Sequence, residues 1–229
     1  MTDQTTPPPG SDDRGSTGVH RPRRRRQSLD RERIVVAAIA YIDEHGLDQL
    51  TMRRLGGVLG VEAMALYRYV AGRDDLLDGV ADSFLADLVA NDAARPAGWR
   101  TYLHQLAHAV RTRAVAHPEV FTLVCNRRPA AAWIRPPLRN LGVIDAFLAA
   151  LSDYGFSDTT AASTYRRLSV FLLAHLMIAE RGFPVPDLTT LDQYPHLQHV
   201  VTELVVDNGL LDFDASLAVL LDHTSLADA

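Results

Sequence analysis

The chain has 229 residues and a mass of 25.2 kDa, enough for one or two domains with a buried core. It is 47% apolar and 22% charged, so most of it is expected to fold. No apolar run approaches the roughly 20 residues that span a bilayer. The opening MTDQTTPPPGSDDRGSTG lacks the apolar stretch of a secretory signal. The lone Cys125 excludes an internal disulfide framework and fits a reducing cytoplasm. Gly and Pro fall between long apolar-periodic stretches instead of punctuating short strands, which argues against a β sandwich or barrel. The net charge of −5 is uneven: −2 over residues 1–20, +3 over 21–75 and −6 over 76–229, with arginine supplying every cation. A basic N-terminal part on an acidic body points to one end that meets a polyanion.

Residues 1–27 are predicted to be a disordered basic tail, too poor in large apolar groups to offset ordering entropy. Its run Arg21-Pro22-Arg23-Arg24-Arg25-Arg26 is either a solvated arm or one that grips phosphates or enters a minor groove, with Arg24 and Arg25 as candidate contacts. From Asp30 to His45, Ile34, Val35, Ala38, Ile39 and Ile42 form the one-sided stripe of a helix. Asp30 caps its start and Gly46 stops it. A second helix of nine residues is expected after Thr51, with Leu55, Val58 and Leu59 inward, then a tight turn at Gly60. A third of about eight starts at Glu62, with Leu66 and Val70 inward, and ends at Gly72. Asp74 and Asp75 open a fourth whose stripe is Leu77, Val80, Phe84, Leu85 and Leu88.

This order of support helix, short helix, glycine turn and short helix is the helix-turn-helix spacing, also seen in ordinary bundles. Arg53, Arg54, Tyr67, Arg68, Tyr69 and Arg73 are left on the outer face. Arginine can fork onto guanine or phosphate, and tyrosine hydroxyls can reach phosphate oxygens.

Further helices are predicted over Trp99–His117, Ala130–Tyr154, Thr159–Glu180, roughly Pro195–Val206 and Phe213–Leu226. Residues 170–179 are apolar almost all round, broken only by His175. One face of such a helix packs on its own domain and the other needs a partner, for which a second copy of the chain is the natural candidate. Phe213, Leu217, Leu220 and Leu221 make a second such stripe.

Over Arg33–Val80 the sequence resembles the tetracycline-repressor (TetR) family of transcriptional regulators. The resemblance rests on Gly46, Leu50-Thr51, Leu59-Gly60-Val61, Leu66-Tyr67-Arg68-Tyr69-Val70 and Arg73 before Leu76-Leu77. It implies an all-α fold, with a three-helix DNA-binding domain over residues 28–75 and a ligand-binding and dimerisation domain over 76–229. Thr51 would face a phosphate and Arg53 a base edge; Tyr67, Tyr69 and Arg73 would hold phosphates. Ala63, Met64 and Ala65 would offer small apolar contacts to thymine methyls, leaving discrimination to Arg53, Arg68 or the arm. Gly56-Gly57 departs from the family, which usually has alanine or another small residue at the first position.

The body resembles the tetracycline-repressor ligand domain through Trp99, His117, Arg128-Pro129 and Gly155-Phe156-Ser157. Its drug- and magnesium-holding positions do not match: Leu88 or Val89 stands for one histidine, Leu106 for asparagine, Val110 for phenylalanine and Val124 for a second histidine. A magnesium chelate has no hard donor there. The implied effector is an apolar or aromatic small molecule, with Leu88, Leu106, Val110, Val124, Phe147 and His175 as candidate lining.

His104 and His108 have metal-ligand spacing on one helix face, but no acid or thiol accompanies them on that helix. They are read as surface or satisfied histidines, and no metal or cofactor is expected. His196 and His199 give a weaker signal. His175 is either a buried hydrogen-bonded histidine or the polar group of a pocket. Cys125 is read as packing, and Arg127 with Arg128 as a solvated pair. No enzyme motif is present. The expected protein is a cytoplasmic homodimeric regulator, a repressor released from a palindromic operator by its effector. The alternatives are a DNA-binding regulator without a small-molecule inducer and a metal-dependent enzyme using His104 and His108.

Overall fold

The computed structural model describes residues 28–89, 96–129, 131–181, 194–205 and 212–224, and every regular element among them is helical. The tail with Arg24 and Arg25 lies outside the described residues. None of the described helices is long and apolar enough to cross a membrane.

Helix α1 (Arg31–His45) starts where Asp30 accepts a hydrogen bond from the Arg33 N–H at 2.8 Å, and ends at Gly46 with φ 85°. Its inward face is Ile34, Val35, Ala38, Tyr41 and Ile42. A single 3-10 turn (Leu47–Gln49) leads to α2 (Met52–Leu59), which the Thr51 hydroxyl caps by accepting from the Arg54 N–H. Gly60 sits in the left-handed region, at φ 68° and ψ 32°, which glycine enters without a Cβ penalty. That turn sends the chain into α3 (Ala63–Leu66).

The expected inward Val58 is instead 59% exposed. With Leu55 and Gly56 buried, the core-facing arc of α2 is too narrow to include it. The third helix is also shorter than its sequence pattern suggests. The Tyr69 N–H bonds to the carbonyl of Leu66, three residues back, and the Tyr69 carbonyl is taken by Arg31. Two tyrosines and a valine in this run are mediocre helix formers, so one helical turn gives way to tighter turns while Leu66 and Val70 stay buried.

Helix α4 (Arg73–Ser83) buries Leu76, Leu77, Val80 and Ala81. The single helix expected through Leu88 is interrupted at Phe84 and Leu85, both buried, before α5 (Ala86–Val89). The body follows as α6 (Trp99–Ala116), α7 (Pro118–Asn126), α8 (Leu141–Asp153), α9 (Asp158–Arg181), α10 (Pro195–Val205) and α11 (Phe213–Asp222). Helix α9 packs on α6, α8 and α11, while α7 packs on α1 and α4.

Helix α7 was not expected: its Pro118 sits at the first helical position, where proline's missing N–H costs nothing. The helix expected over Ala130–Tyr154 begins only at Leu141. Pro136 and Pro137 cannot donate within a helix, and Asn140 caps α8 by accepting from the Val143 N–H at 3.1 Å.

The two adjacent glycines of α2 have opposite surroundings. A Cβ on Gly56 would lie 2.8 Å from the Val61 carbonyl oxygen and 3.2 Å from the Ala63 nitrogen, whereas a Cβ on Gly57 would meet nothing within 4 Å. Gly56 therefore sets how closely α2 and α3 approach. Gly57→Ala is expected to stabilise the protein by about 1 kcal/mol, a rise of about 2–4 °C in Tm for a chain of this size. Gly56→Ala is expected to lower stability by about 1–3 kcal/mol. Thermal unfolding of the two variants checks both signs.

Candidate nucleic-acid interface and its connection to the body

Helices α2 and α3 with their trailing turn present a continuous outward face. Met64 at the start of α3 is 75% exposed, and Tyr67 and Tyr69 are 46% and 39% exposed. Thr51, Arg53 and Arg68 are exposed, while Ala63 and Ala65 are half-buried against the α2–α3 contact. The guanidinium groups of Arg53 and Arg68 make no hydrogen bond or ion pair among the described residues. Two other arginines of the region are engaged. Arg54 Nη1 donates to the Gln49 carbonyl at 2.9 Å and also to Gln49 Oε1. Arg73 donates from Nε to the Leu50 carbonyl at 3.0 Å and from Nη2 to the Leu47 carbonyl at 3.1 Å. Arg73 thus ties the start of α4 to the chain entering α2, a positioning role its sequence context did not reveal.

A second tie was missed altogether in the sequence. Arg31, at the start of α1, donates to Asp75 Oδ1 at 2.7 Å, to Asp75 Oδ2 at 2.9 Å and to the Tyr69 carbonyl at 2.9 Å. Asp75 Oδ2 also accepts from the Ala71 N–H at 2.7 Å. One carboxylate therefore joins α1, the turn after α3 and the first turn of α4. The Arg31 hydrogen bond, followed by that of the Ala71 N–H, lowers the Asp75 pKa to about 2. Nothing in the local pattern marks this pair, because its members are 44 residues apart.

Helix α4 also carries Asp74, Asp78 and Asp82 at four-residue intervals, a spacing that places them on one helical face. Arg127, read from sequence as solvated, donates from Nε to Asp78 Oδ1 at 2.6 Å and from Nη2 to the Asp74 carbonyl at 3.0 Å. The bond with Asp78 raises its pKa. Arg139 is buried and donates to Asp82 Oδ1 at 3.2 Å and to the Arg127 carbonyl at 3.3 Å. Asn140 donates from Nδ2 to the Asp82 carbonyl at 3.0 Å. Tyr165 of α9 holds the same loop, accepting from the Arg135 N–H at 2.8 Å and donating to the Leu138 carbonyl at 3.0 Å. Burial pushes its phenol pKa up. His117, between α6 and α7, sits 2.7 Å from Asp43 of α1. The acidic periodicity of α4 was the available sequence signal for these contacts.

Of the candidate ligand-lining residues, Leu106, Val110, Val124 and Phe147 are buried in the common core, with Leu88 packed half-buried at its margin. Phe147 lies between Tyr102 and Tyr165, each ring centroid 6.3 Å away. His175 belongs to an aromatic cluster with Phe171 at 4.2 Å and Phe213 at 6.1 Å. Its Nδ1 lies 3.2 Å from the Phe171 carbonyl oxygen. Its Nε2 is buried with no hydrogen-bond partner among the described residues. Cys125 is half-buried against the core.

Residues 93–223 match the tetracyclin repressor-like C-terminal domain. The chain belongs to the TetR family of transcriptional regulators. Among solved structures it is similar to a possible TetR family regulator from Streptomyces coelicolor A3(2), with 31% identity, a TM-score of 0.61, and coverage of 84% of this chain and 97% of that one. It is also similar to the TetR family protein ActR of Streptomyces coelicolor in complex with (S)-DNPA, with 25% identity, a TM-score of 0.64, and coverage of 86% and 97%. The class A tetracycline repressor from transposon 1721 of Escherichia coli is 28% identical over 150 residues, which are 65% of this chain and 66% of that protein. The chain spans less than two thirds of the length of four curated relatives that it matches, from 38% to 66%.

The lowered Asp75 pKa gives a defined pH dependence. A carboxylate with a depressed folded-state pKa contributes stability above its unfolded value of about 4. That contribution disappears as the pH falls towards about 2. Because the pair is more than one third exposed, solvent screening holds it to about 1 kcal/mol. Urea unfolding is expected to show Asp75→Ala less stable than the parent at pH 6, with the gap narrowing between pH 4 and pH 2.

Proposed function

We propose that this TetR family protein is a ligand-responsive transcriptional repressor that binds a palindromic DNA operator as a homodimer. The observation that carries the reading is the pair of guanidinium groups, Arg53 and Arg68, that are unengaged among the described residues, beside two exposed tyrosines on the outer face of a glycine-turned helix pair. An unpaired arginine costs little to present in water and forks onto guanine or phosphate when a duplex arrives. In this reading residues 28–75 bind DNA and 76–229 bind the effector and dimerise. Arg53 reads a base edge, and Arg68 reads a base edge or grips phosphate. Tyr67 and Tyr69 donate to phosphates, and Thr51 does so with its hydroxyl hydrogen while its oxygen caps α2. Met64, with Ala63 and Ala65 beside it, packs on thymine methyls. Arg24 and Arg25 extend the contact along the backbone. Arg73 acts mainly by positioning α4, because two of its donors are taken.

The second copy is supported by the outward faces of α9 and α11, where Val170 and Val219 are 54% and 58% exposed. Two copies present two recognition surfaces to the two halves of a palindrome. The effector reading draws on the apolar candidates Leu88, Leu106, Val110, Val124 and Phe147, and on His175 Nε2, a buried polar atom that a ligand group could satisfy. Ligand binding in the body moves the loop of Arg127 and Arg139, and with it the acidic face of α4. The coupling between sites is typically about 1–3 kcal/mol, and DNA must weaken effector binding by the same factor.

Selection of bound genomic fragments with purified protein at defined salt tests the reading. A recurrent inverted repeat is expected, with affinity falling steeply as salt rises; sequence-independent or salt-insensitive binding contradicts it. Arg53→Ala is expected to cost about 1–3 kcal/mol and to relax preference at one position per half-site. An unchanged profile assigns base reading elsewhere. Tetracycline with magnesium is expected to leave the protein on its operator at micromolar concentrations, because the matching positions carry Leu88, Leu106, Val110 and Val124. Release measured by fluorescence anisotropy would overturn that exclusion.

A further inference from the structure

Helix α6 carries His104 and His108 one turn apart, with ring centroids 4.4 Å from each other. The sequence offered no third donor because none lies on that helix. The fold supplies one from the far end of the chain: the first turn of α11 brings Asp214 Oδ1 to 2.7 Å from His108 Nε2 and 3.9 Å from His104 Nε2. One donor atom from each of the three residues lies within 4.8 Å of the other two. We propose that His104, His108 and Asp214 form a binding site for a divalent transition-metal ion of the zinc class, joining α11 to α6.

The donor set decides the class of ion. Two imidazoles and one carboxylate suit zinc and its neighbours, whereas magnesium and calcium want an oxygen cage. Tetrahedral donors at about 2.0–2.2 Å from zinc stand about 3.3 Å from each other. The shorter observed separation must therefore open, and the longer one close, by about 0.6 Å each. His104 and Asp214 are 53% and 59% exposed, so small torsional changes in these two side chains achieve this while His108 stays packed against Phe213. The fourth position stays open to water.

The surroundings hold two of the three donors in place. Asp212 caps α11 by accepting from the Asp214 and Ala215 N–H groups at 3.0 and 3.1 Å, which fixes the backbone that carries Asp214. The Phe213 ring packs edge-on against His108 at 5.3 Å and orients its imidazole. The adjacent cation, Arg111, lies over the opposite partner of this packing, 5.0 Å from the Phe213 centroid. The ion would add a link between α11 and α6 to the Arg100–Asp222 ion pair at 2.8 Å, which joins the same two helices. Metal binding is measured on the free protein and stands or falls separately from DNA recognition.

The test uses the full chain, prepared without a polyhistidine tag and stripped with chelator. Titration with cobalt(II) is expected to give one saturable equivalent per chain, with the visible absorption of a low-symmetry four-coordinate site, displaced by zinc. Saturating zinc is expected to raise Tm by about 5–10 °C, since the ion binds only the folded chain. His104→Ala, His108→Ala and Asp214→Ala should each weaken cobalt binding at least tenfold, with the far-ultraviolet spectrum unchanged, and His199→Ala should not. The proposal is overturned if the parent protein shows no saturable cobalt spectrum at micromolar metal. It is equally overturned if binding survives Asp214→Ala. In either case the three residues form only a surface ion pair.

Discussion

The fork between Arg31 and Asp75 is the contact on which the geometry of the recognition surface depends. Hydrophobic burial brings α1, α2 and α4 together, but it is non-directional. It does not by itself fix the turn after α3, where the helix has only one regular turn. The Arg31 guanidinium and the Asp75 carboxylate supply direction, because they bind each other and, between them, the Tyr69 carbonyl and the Ala71 N–H. Tyr67, Arg68 and Tyr69 are thus carried on a segment anchored at its end. Gly56 provides the complementary constraint at its beginning, by letting α3 sit against α2 at backbone distance.

Helix α4 then acts as the member shared by both halves of the molecule. One side of its first turn is held to the N-terminal helices by Asp75 and Arg73, and its acidic face is held by Arg127 and Arg139 from the body. Arg139 is buried with its charge paired, and removing one partner of such a pair is costly. A rearrangement of residues 127–140 therefore has a stiff path to the recognition surface. Tyr165 joins that loop to α9, whose Val170 is exposed, so effector, partner copy and DNA would all act on one connected set of contacts.

Much of this was legible in the sequence, and the reasons differ by element. The caps at Asp30 and Thr51 and the turns at Gly46 and Gly60 are local chemistry, and they fall where residue type requires. The apolar periods of α1, α6 and α9 exposed those helices for the same reason. Helix α7 does not stand out in the sequence because it follows α6 after a single residue, His117, with Pro118 at its first position. The helix expected from Ala130 begins only at Leu141, because Pro136 and Pro137 cannot donate within a helix. In the candidate interface, exposed residues such as Arg53 and Tyr67 could be picked out because each lies on the outer side of its own short segment. Arg31, Asp75, Arg127, Arg139 and Asp214 could not, since each acts through a partner distant in the chain that only packing brings near. Arg73 was legible as a member of the surface and illegible as a brace.

The central claim is that the face bearing Arg53, Arg68, Tyr67 and Tyr69 docks on duplex DNA twice, once from each copy. Hydroxyl-radical footprinting of the full chain on a selected fragment tests it most directly. The account predicts two protected patches related by an inverted repeat, their centres a whole number of helical turns apart at about 34–36 Å per turn. A single unpaired patch, or protection that is uniform along the fragment, would contradict it.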